Sequence, residues 1–470
     1  MKVLGIGIGL ITLFTSLTLN AASLRATQLP NLEFGGQIAP NSYSRLENDR
    51  VLFATEASGT NTEVFVYDLG SHKSVDILVV PNPVNYSENS VYTEVYSDGA
   101  VAYIVLDGDL YITDGTKSGT ALVGGFGVYD TKDGVFNAIS NGVVIGGVLY
   151  FQYSEAVASS GVHGESGASP ALWRSDGTAA GTWKYSGSDG LWTELGAFAA
   201  KDESGSVYFF RPDLNELWKT NSNRTVIKIG QLSPSTSWLY TDSEGQQFQA
   251  LSNSRGHYFC VKLDGNLHDS GALWRLSNND SLQQLTQKCV VGALTVVNDQ
   301  ILYKDATGLW MSNGIVGEER RVFQFANVSN TFNQERMCVL GNKVHAVLTS
   351  NSAHRVVSID GSGAVTLIKQ DSHDSNQRVG LVECLQDQLL VYSSPVNNYT
   401  PQPEQVTHWL INPNTKSIKG VSSEEVLADT YLDDLPSGRA AARGQICTDR
   451  FCLLPTWPQT LPAVIELLAE

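Results

Sequence analysis

The feature that most constrains the fold of this chain is a short segment that recurs along it. The clearest copies are DLYITDGTKSGTALV from Asp109 and ALWRSDGTAAGTWKY from Ala171. Weaker copies begin at Glu216, Ala272 and Gly308. An apolar run rich in β-branched and aromatic residues precedes each copy, and such runs are typical of buried strands. Similarity at a regular spacing indicates a repeat architecture, so the repeat has to be placed before any other feature.

The spacing of the repeats predicts the architecture. Apolar runs begin at positions 51, 101, 148, 207, 257, 301, 344, 389 and 451, at intervals of 43 to 62 residues. One interval holds four strand-like segments separated by turn residues, and four antiparallel strands per period of this length are typical of a propeller. The sequence therefore predicts an all-β chain that folds as a single β-propeller with about eight four-stranded blades, with seven to nine allowed.

The regions outside the repeats differ in composition. Residues 1–22 hold a lysine, an apolar run and small residues, which is the plan of a secretory signal peptide. A transmembrane anchor is the alternative, but the run is short and interrupted by glycines. We assign residues 23–41 to an N-terminal segment with a closing strand around Leu32 to Phe34, and residues 42–421 to the propeller. Residues 422–470 supply a linker, a disulfide hairpin from Gly444 and a last apolar run, AVIELL. These either close the ring or form a ninth, irregular blade or cap.

All six cysteines lie in the C-terminal half of the chain. An even number of cysteines in an exported protein predicts disulfides. Proximity along the chain suggests the pairs Cys260 with Cys289, Cys338 with Cys384, and Cys447 with Cys452. A zinc site is the alternative for the last pair, but no histidine or second close pair accompanies it.

The charge of the chain limits its partners and its location. The formal net charge is −17, and a surface of this sign repels phosphate backbones and anionic lipid. We therefore expect no nucleic-acid partner and no membrane association once the signal peptide is removed. We expect an exported protein, periplasmic or secreted, that is a monomer.

Two residue types recur at a fixed phase within the repeat. Tryptophans occupy one position of the third strand, namely Trp173, Trp218, Trp274, Trp310 and, less clearly, Trp409. They fit wedges buried between blades, and a platform that binds carbohydrate is the alternative. The pairs Asp114–Gly115 and Asp176–Gly177 follow the third strand, where we expect a type I′ hairpin turn.

The repeats resemble those of bacterial exported proteins whose units carry the pattern ELWxxDGT, usually followed by GT and an apolar strand. Leu172 to Thr182 (LWRSDGTAAGT) matches almost completely, and Leu110 to Thr120 matches with Tyr in place of Trp. The copies at Leu217, Leu273 and Leu309 keep LeuTrp but lose DGT. The resemblance covers roughly residues 50 to 420. It implies a propeller fold and an exported location, and it implies no activity.

The sequence contains no motif of a known catalytic or metal site. It has no HExxH, CxxC, calcium loop or GxSxG nucleophile elbow. His257 and His345 lie within predicted strands, where a structural role is expected. We therefore predict no catalytic residue, no metal ligand and no cofactor.

Loop length gives the best positional information about a binding site. Three long connections between second and third strands cover Ser154 to Ser169, Asp264 to Gly271 and Ser393 to Gln405. In a propeller these connections leave the same face, and long connections held by a rigid scaffold usually build the binding surface. Tolerated insertions are the alternative. The candidate binding residues on these loops are His163, Glu165, His268 and Tyr399.

Three functions are compatible with these features. The favoured hypothesis is an exported binding or scaffold module for an unknown protein or glycan partner. The second is an extracellular or periplasmic enzyme that acts on polysaccharide in the central funnel, which rests on analogy of fold alone. The third is a structural component of the cell surface or matrix.

Overall fold

The structure is a computed structural model that describes part of the chain. The described residues are 23–28, 43–54, 61–71, 73–81, 93–106, 108–131, 134–137, 139–155, 169–189, 199–201, 205–211, 216–232, 251–262, 271–289, 294–305, 307–324, 337–350, 353–372, 377–385, 387–395, 407–421, 446–447, 451–454 and 463–468. Every regular element within them is a β-strand.

The strands of the first half follow the predicted repeat. After β1 (Ser23–Gln28), blade 1 contains β2 (Tyr43–Leu46), β3 (Arg50–Ala54), β4 (Asn61–Asp68) and β5 (Lys73–Pro81). Blade 2 contains β6 (Thr93–Ser97), β7 (Ala102–Leu106), β8 (Asp109–Thr113) and β9 (Ala121–Gly125), and it is followed by β10 (Val128–Thr131) and β11 (Gly134–Asn137). Blade 3 contains β12 (Ile139–Ile145), β13 (Val148–Glu155), β14 (Ser169–Ser175) and β15 (Trp183–Lys184). Blade 4 contains β16 (Ala199–Lys201), β17 (Val207–Arg211), β18 (Glu216–Thr220) and β19 (Val226–Gln231).

The second half continues in the same way. Blade 5 contains β20 (Leu251–Asn253), β21 (Gly256–Lys262), β22 (Gly271–Leu276) and β23 (Leu282–Cys289). Blade 6 contains β24 (Leu294–Val297), β25 (Gln300–Asp305), β26 (Gly308–Ser312) and β27 (Arg320–Gln324). Blade 7 contains β28 (Met337–Leu340), β29 (Lys343–Ser350), β30 (Ala353–Asp360) and β31 (Val365–Ser372). Blade 8 contains β32 (Gln377–Leu385), β33 (Gln388–Pro395), β34 (Thr407–Ile411) and β35 (Ile418–Val421). The last strands are β36 (Ile446–Cys447), β37 (Phe451–Leu454) and β38 (Ala463–Leu468).

Each of the eight blades is a four-stranded antiparallel sheet whose strands pair in chain order. First strands of successive blades contact one another, as β2 with β6 and β24 with β28 do, so they lie on the inside of the ring. The fourth strands lie outermost and carry exposed residues such as Val75 and Leu122. The predicted all-β propeller with eight blades is therefore confirmed.

A ninth four-stranded sheet joins the two ends of the chain. Its strand order is β1-β38-β37-β36, so the N-terminal strand takes the outer place that the fourth strand holds in a blade. The predicted pairing of AVIELL with an N-terminal strand is present, but that strand is Ser23–Gln28 and not the segment around Leu32 to Phe34. Pro30 and the Gly35–Gly36 pair bracket Leu32 and are poor strand residues, whereas SLRATQ contains neither type.

Successive blades bury their facing sides against each other. A cluster of buried apolar side chains fills each junction from blades 1 and 2 to blades 7 and 8. The five third-strand tryptophans each belong to, or pack against, the cluster shared with the preceding blade. Because neighbouring blades cover both faces of each blade from blade 2 to blade 7, neither face is left as an exposed apolar sheet.

The DGT segments form a different turn from the one expected. The loops between β8 and β9 and between β14 and β15 run from Asp114 to Thr120 and from Asp176 to Thr182. In each Asp–Gly pair only the glycine has a positive φ, at 84° for Gly115 and 86° for Gly177. A type I′ turn requires a positive φ at both of its central residues. The type I′ prediction is therefore wrong for these segments. Two-residue turns with two positive φ values occur instead between first and second strands, as at Asn298–Asp299.

Side-chain hydrogen bonds explain the residues of the DGT loop. In blade 3, Asp176 Oδ1 accepts hydrogen bonds from Thr178 N (3.1 Å) and Thr178 Oγ1 (2.7 Å). Thr178 Oγ1 accepts one from Gly181 N (2.9 Å), and Thr182 Oγ1 donates one to Thr178 O (2.7 Å). Blade 2 repeats this network from Asp114 to Thr120. Aspartate and threonine favour such local turns because their oxygens pair with nearby backbone groups.

Two disulfides connect strands in the C-terminal half. Cys260 and Cys289 join β21 to β23 within blade 5, and Cys338 and Cys384 join β28 to β32 across blades 7 and 8. Both are pairs that proximity along the chain suggested. Cys447 and Cys452 are directly opposite each other in the β36–β37 register, and their side chains lie outside the described residues. Their disulfide stays a prediction.

The glutamate of the ELW pattern has a structural partner in blade 4. Glu216 is buried; its Oε2 accepts a hydrogen bond from Trp218 Nε1 (2.9 Å), and its Oε1 lies 2.5 Å from Lys228 Nζ. Alanine or glycine takes this place in blades 3, 5 and 6, where the Nε1 atoms of Trp173, Trp274 and Trp310 are buried without a partner.

Replacing Glu216 by Gln should destabilise the protein in a pH-dependent way. Burial raises the pKa of Glu216, but the hydrogen bonds from Lys228 and Trp218 outweigh it and hold this pKa below the ordinary 4.5. The stabilisation is then complete above about pH 5 and is lost as the pH falls through the lowered folded pKa. We expect Glu216→Gln to cost about 1.5–3 kcal/mol at pH 7 in urea unfolding, and less near pH 3. Exposed Glu47→Gln is the control, and an equal cost at both pH values would contradict the assignment.

Candidate functional site

Strand direction divides the propeller into two faces. We call the end that carries the first-to-second and third-to-fourth connections the turn face. The opposite end, which we call the loop face, carries the second-to-third connections and the passages between blades. Because strands alternate in direction within every blade, the assignment holds for all eight.

The turn face is made of short segments that bond across blade junctions. Asp98 Oδ2 accepts a hydrogen bond from Gly147 N (2.6 Å), and Asn253 Nδ2 donates one to the carbonyl of Asp299 (3.0 Å). Tyr103 OH donates to the carbonyls of Gly147 and Ser175 in the next blade. These bonds use the polar groups of the turns to connect neighbouring blades.

One polar cluster on the turn face has the residue types of a catalytic group. Asp280 of blade 5 accepts hydrogen bonds from Lys219 Nζ (3.0 Å) and from Tyr208 OH of blade 4. His257 lies beside the Tyr208 ring and is 2.6 Å from Ser252 Oγ through Nδ1. Burial, together with the hydrogen bond to Asp280, raises the pKa of Tyr208 to about 12. The carboxylate is committed to a cation and a phenol from the neighbouring blade, so the cluster ties blades 4 and 5 together.

His345 occupies a buried position in the second strand of blade 7. Burial lowers the pKa of His345 to about 4, and nearby Lys343 acts in the same direction. The ring is therefore neutral and enclosed, and its Nδ1 is buried without a hydrogen-bond partner among the described residues.

The loop face carries the three long connections. The strand ends place them at residues 156–168, 263–270 and 396–406, each between the second and third strands of its blade. The first and third are shorter than the sequence suggested, and the second is equally long. Strands extend into both ends of the first connection, and Ser154 is buried within β13. The candidate binding residues His163, Glu165, His268 and Tyr399 lie outside the described residues.

A hairpin that the sequence did not reveal projects from the same face. Strands β10 and β11 form a two-stranded antiparallel sheet in the passage between blades 2 and 3, with Tyr129 opposite Phe136. Its first strand follows Gly127, which with Phe126 donates backbone hydrogen bonds to the carbonyl of Gly108 (3.1 and 2.7 Å). The alternation in VYDT and GVFN is only four residues long, too short to separate from a loop by pattern alone.

An aromatic cluster supports the base of this hairpin. The Phe126 ring packs edge-to-face against Phe151, Tyr153 and Trp173, with centroids 5.3–5.8 Å apart. Tyr153 OH also donates a hydrogen bond to the Phe126 carbonyl (3.0 Å). Because Tyr153 and Trp173 flank the 156–168 connection along the chain, one cluster holds the base of the hairpin and both ends of that connection.

Two of the third-strand tryptophans, Trp310 and Trp409, contact charged side chains as well as the core. Lys288 Nζ lies 4.1 Å from the ring centroid of Trp310, and Lys369 Nζ lies 4.5 Å from that of Trp409. Each lysine comes from the preceding blade. This arrangement adds a cation–π contact to the junction and covers part of the ring that a carbohydrate platform would need to present.

The described part of the chain contains no group of three or more His, Cys, Asp and Glu side chains placed to hold a metal ion. Nor do the described residues form a helix long and apolar enough to span a bilayer.

Comparisons with known proteins do not assign a family to the chain. No protein-family model and no curated protein sequence matches the chain. Among solved structures, the chain is similar to the WD40 domain of SCAP from fission yeast, with 10% identity, 94% of this chain and 98% of that chain covered, and a TM-score of 0.40. It is also similar to a streptogramin B lyase, with 9% identity, 95% and 98% covered, and a TM-score of 0.35.

A third similar structure is dipeptidyl peptidase 4 of Porphyromonas gingivalis, with 13% identity and a TM-score of 0.37. The match covers 83% of this chain and only 53% of that one, so the chain spans about half of its length. With TM-scores this low, the fold rests on the strand order and the blade junctions described above.

The glycine contact under the hairpin gives a paired test. Gly108 and Gly127 both have positive φ, at 80° and 81°. A Cβ on Gly108 would overlap the backbone of Gly127, whereas a Cβ on Gly127 would meet nothing within 4 Å. Both alanine variants carry the same backbone strain, about 1 kcal/mol. We expect Gly108→Ala to cost at least about 1 kcal/mol more and to expose the amides of β10 and β11 to hydrogen exchange. Equal effects would show that the close approach is unimportant.

Proposed function

We propose that this protein is an exported binding module whose ligand, a protein or a glycan, is held on the loop face. The observation that carries this proposal is the difference between the two faces. The turn face consists of short loops whose polar groups bond across blades, so their sequence is constrained by the fold. The loop face carries the long connections and an extra hairpin that no blade requires, and such segments are free to take on recognition.

The anchoring of the hairpin supports the same proposal. An isolated two-stranded hairpin is marginally stable in water, so its base needs other contacts to be ordered. Here Phe126, Tyr153 and Gly108 supply them. A segment held in one conformation binds with a smaller loss of entropy than a free loop does.

Export is supported by the two disulfides and by the composition of residues 1–22. Disulfides persist in oxidising compartments and are rare in the cytosol. The likeness to exported proteins with ELWxxDGT repeats agrees with this location, and the network of the DGT loop gives that pattern a structural reason.

Binding is tested by replacing residues 156–168 with a short Gly/Ser linker. The variant should fold, because β13 ends before the replaced segment and β14 begins after it. It should lose the ligands that the intact protein retains on protein and glycan arrays. Lys117→Ala on the turn face is the control and should bind as the intact protein does. Unchanged binding by the linker variant, or its failure to fold, would overturn the assignment of the loop face.

Export is tested by expressing the full chain in a Gram-negative host. We expect the protein in the periplasm or medium, with an intact mass that corresponds to cleavage near residue 22 and to oxidised cysteines. An uncleaved, reduced chain in the cytosol would refute export.

A further inference from the structure

A stacked group of cationic and aromatic side chains lies at the outer rim between blades 3 and 4. The Arg174 guanidinium is 5.3 Å from the ring centroid of Trp183, and the Arg224 guanidinium is 4.5 Å from it. Arg174 and Trp183 belong to blade 3, whereas Arg224 belongs to the third-to-fourth loop of blade 4. The backbone fixes this junction, because Ser186 N donates a hydrogen bond to the carbonyl of Arg224 (2.8 Å).

Arg224 occupies a position where its backbone is strained. Its φ is 59°, in the left-handed region that disfavours side chains with a Cβ. The same loop position holds Gly363 in blade 7, Asp280 in blade 5 and Lys416 in blade 8, all with positive φ. A side chain retained at such a position has a role that glycine does not supply.

The side chains at this position differ in whether their polar groups are paired. Asp280 bonds to Lys219 and Tyr208, and Lys416 Nζ donates to the carbonyl of Leu367 (2.9 Å), so both are used by the preceding blade. The Arg224 guanidinium lies on Trp183, and within the described residues its N–H groups have no hydrogen-bond or ion-pair partner. Arg224 is exposed, so these donors point to solvent.

The local charge around Trp183 is opposite in sign to that of the whole chain. Within the described residues, the group of Arg174, Lys184 and Arg224 is paired with two carboxylates, because Asp176 lies 3.4 Å from Arg174 and Asp189 pairs with Lys184. Asp189 is largely exposed, so its ion pair is weak. A locally positive site on a chain of net charge −17 favours isolated anionic groups over a densely charged polymer.

We propose that the Arg174–Trp183–Arg224 stack binds the carboxylate of a uronic acid in an acidic glycan. A guanidinium held over an aromatic ring keeps N–H groups available for two parallel hydrogen bonds to a planar carboxylate. Trp183 is half-buried, with Tyr185 packed edge-to-face with it, and its exposed part offers an apolar surface to a sugar ring. The site lies on the rim near the turn face and does not depend on ligand binding at the loop face.

The test uses a hyaluronan oligosaccharide, whose carboxylates occur on alternate sugars, and calorimetric titration of the full chain. Arg224→Gly removes the guanidinium and relieves the backbone strain, so the variant should fold normally and bind about tenfold more weakly. Lys416→Gly is the matched control, because it removes a cation from a left-handed residue in the corresponding loop of blade 8. Its affinity should equal that of the intact protein.

Further ligands separate carboxylate recognition from other causes. The same oligosaccharide with its carboxyls reduced to alcohols should bind about tenfold more weakly or not at all. The linker variant of residues 156–168 should bind hyaluronan like the intact protein, which separates this site from the loop face. The proposal is overturned by absence of saturable binding, by equal affinity of Arg224→Gly and the intact protein, or by tighter binding of a glutamate-rich peptide of similar length.

Discussion

Face-to-face burial between blades is the constraint on which the rest of this structure depends. A four-stranded sheet with apolar residues on both faces is stable only if each face packs against another sheet. The ring arrangement provides such a neighbour on both sides of blades 2 to 7. The junction clusters and the third-strand tryptophans show how uniformly this requirement is met. Because this burial commits the strand residues to packing, the residues available for ligand recognition lie in the connections between strands.

The connections on the two faces have different structural roles. On the turn face, Asp176 and Thr178 satisfy backbone groups of their own loop, and Tyr103 and Tyr208 reach the loop of the next blade. That face therefore helps to set the spacing between blades. On the loop face the passages vary in length, and the β10–β11 hairpin is an addition that the ring does not need. A binding site is more easily added on the loop face, because the fold constrains the sequence of its connections less.

Both covalent links lie in the C-terminal half of the chain. Blades 2 and 3 keep the full DGT loop network, whereas blades 5, 7 and 8 have lost part of it. Cys260–Cys289 lies within blade 5, and Cys338–Cys384 joins the inner strands of blades 7 and 8. A disulfide restricts the unfolded chain and so stabilises the fold whatever the local packing is.

The sequence by itself determined the blade plan, because strand periodicity and the recurrence of LeuTrp record burial that is local to each repeat. It also located the long connections. Proximity along the chain only suggested the two disulfide pairs that the structure contains. Only the tertiary structure decided that Ser23–Gln28 is the outer strand of the closing sheet, and that Asp114 and Asp176 cap a longer loop instead of a two-residue turn. It alone also placed Arg224 on Trp183. The DGT loop depends on side-chain hydrogen bonds within one loop, which the Asp–Gly pair alone does not specify. The closing strand and the Arg224–Trp183 contact depend on which distant residues meet, and a short pattern read along one strand carries no information about its neighbour in the next sheet.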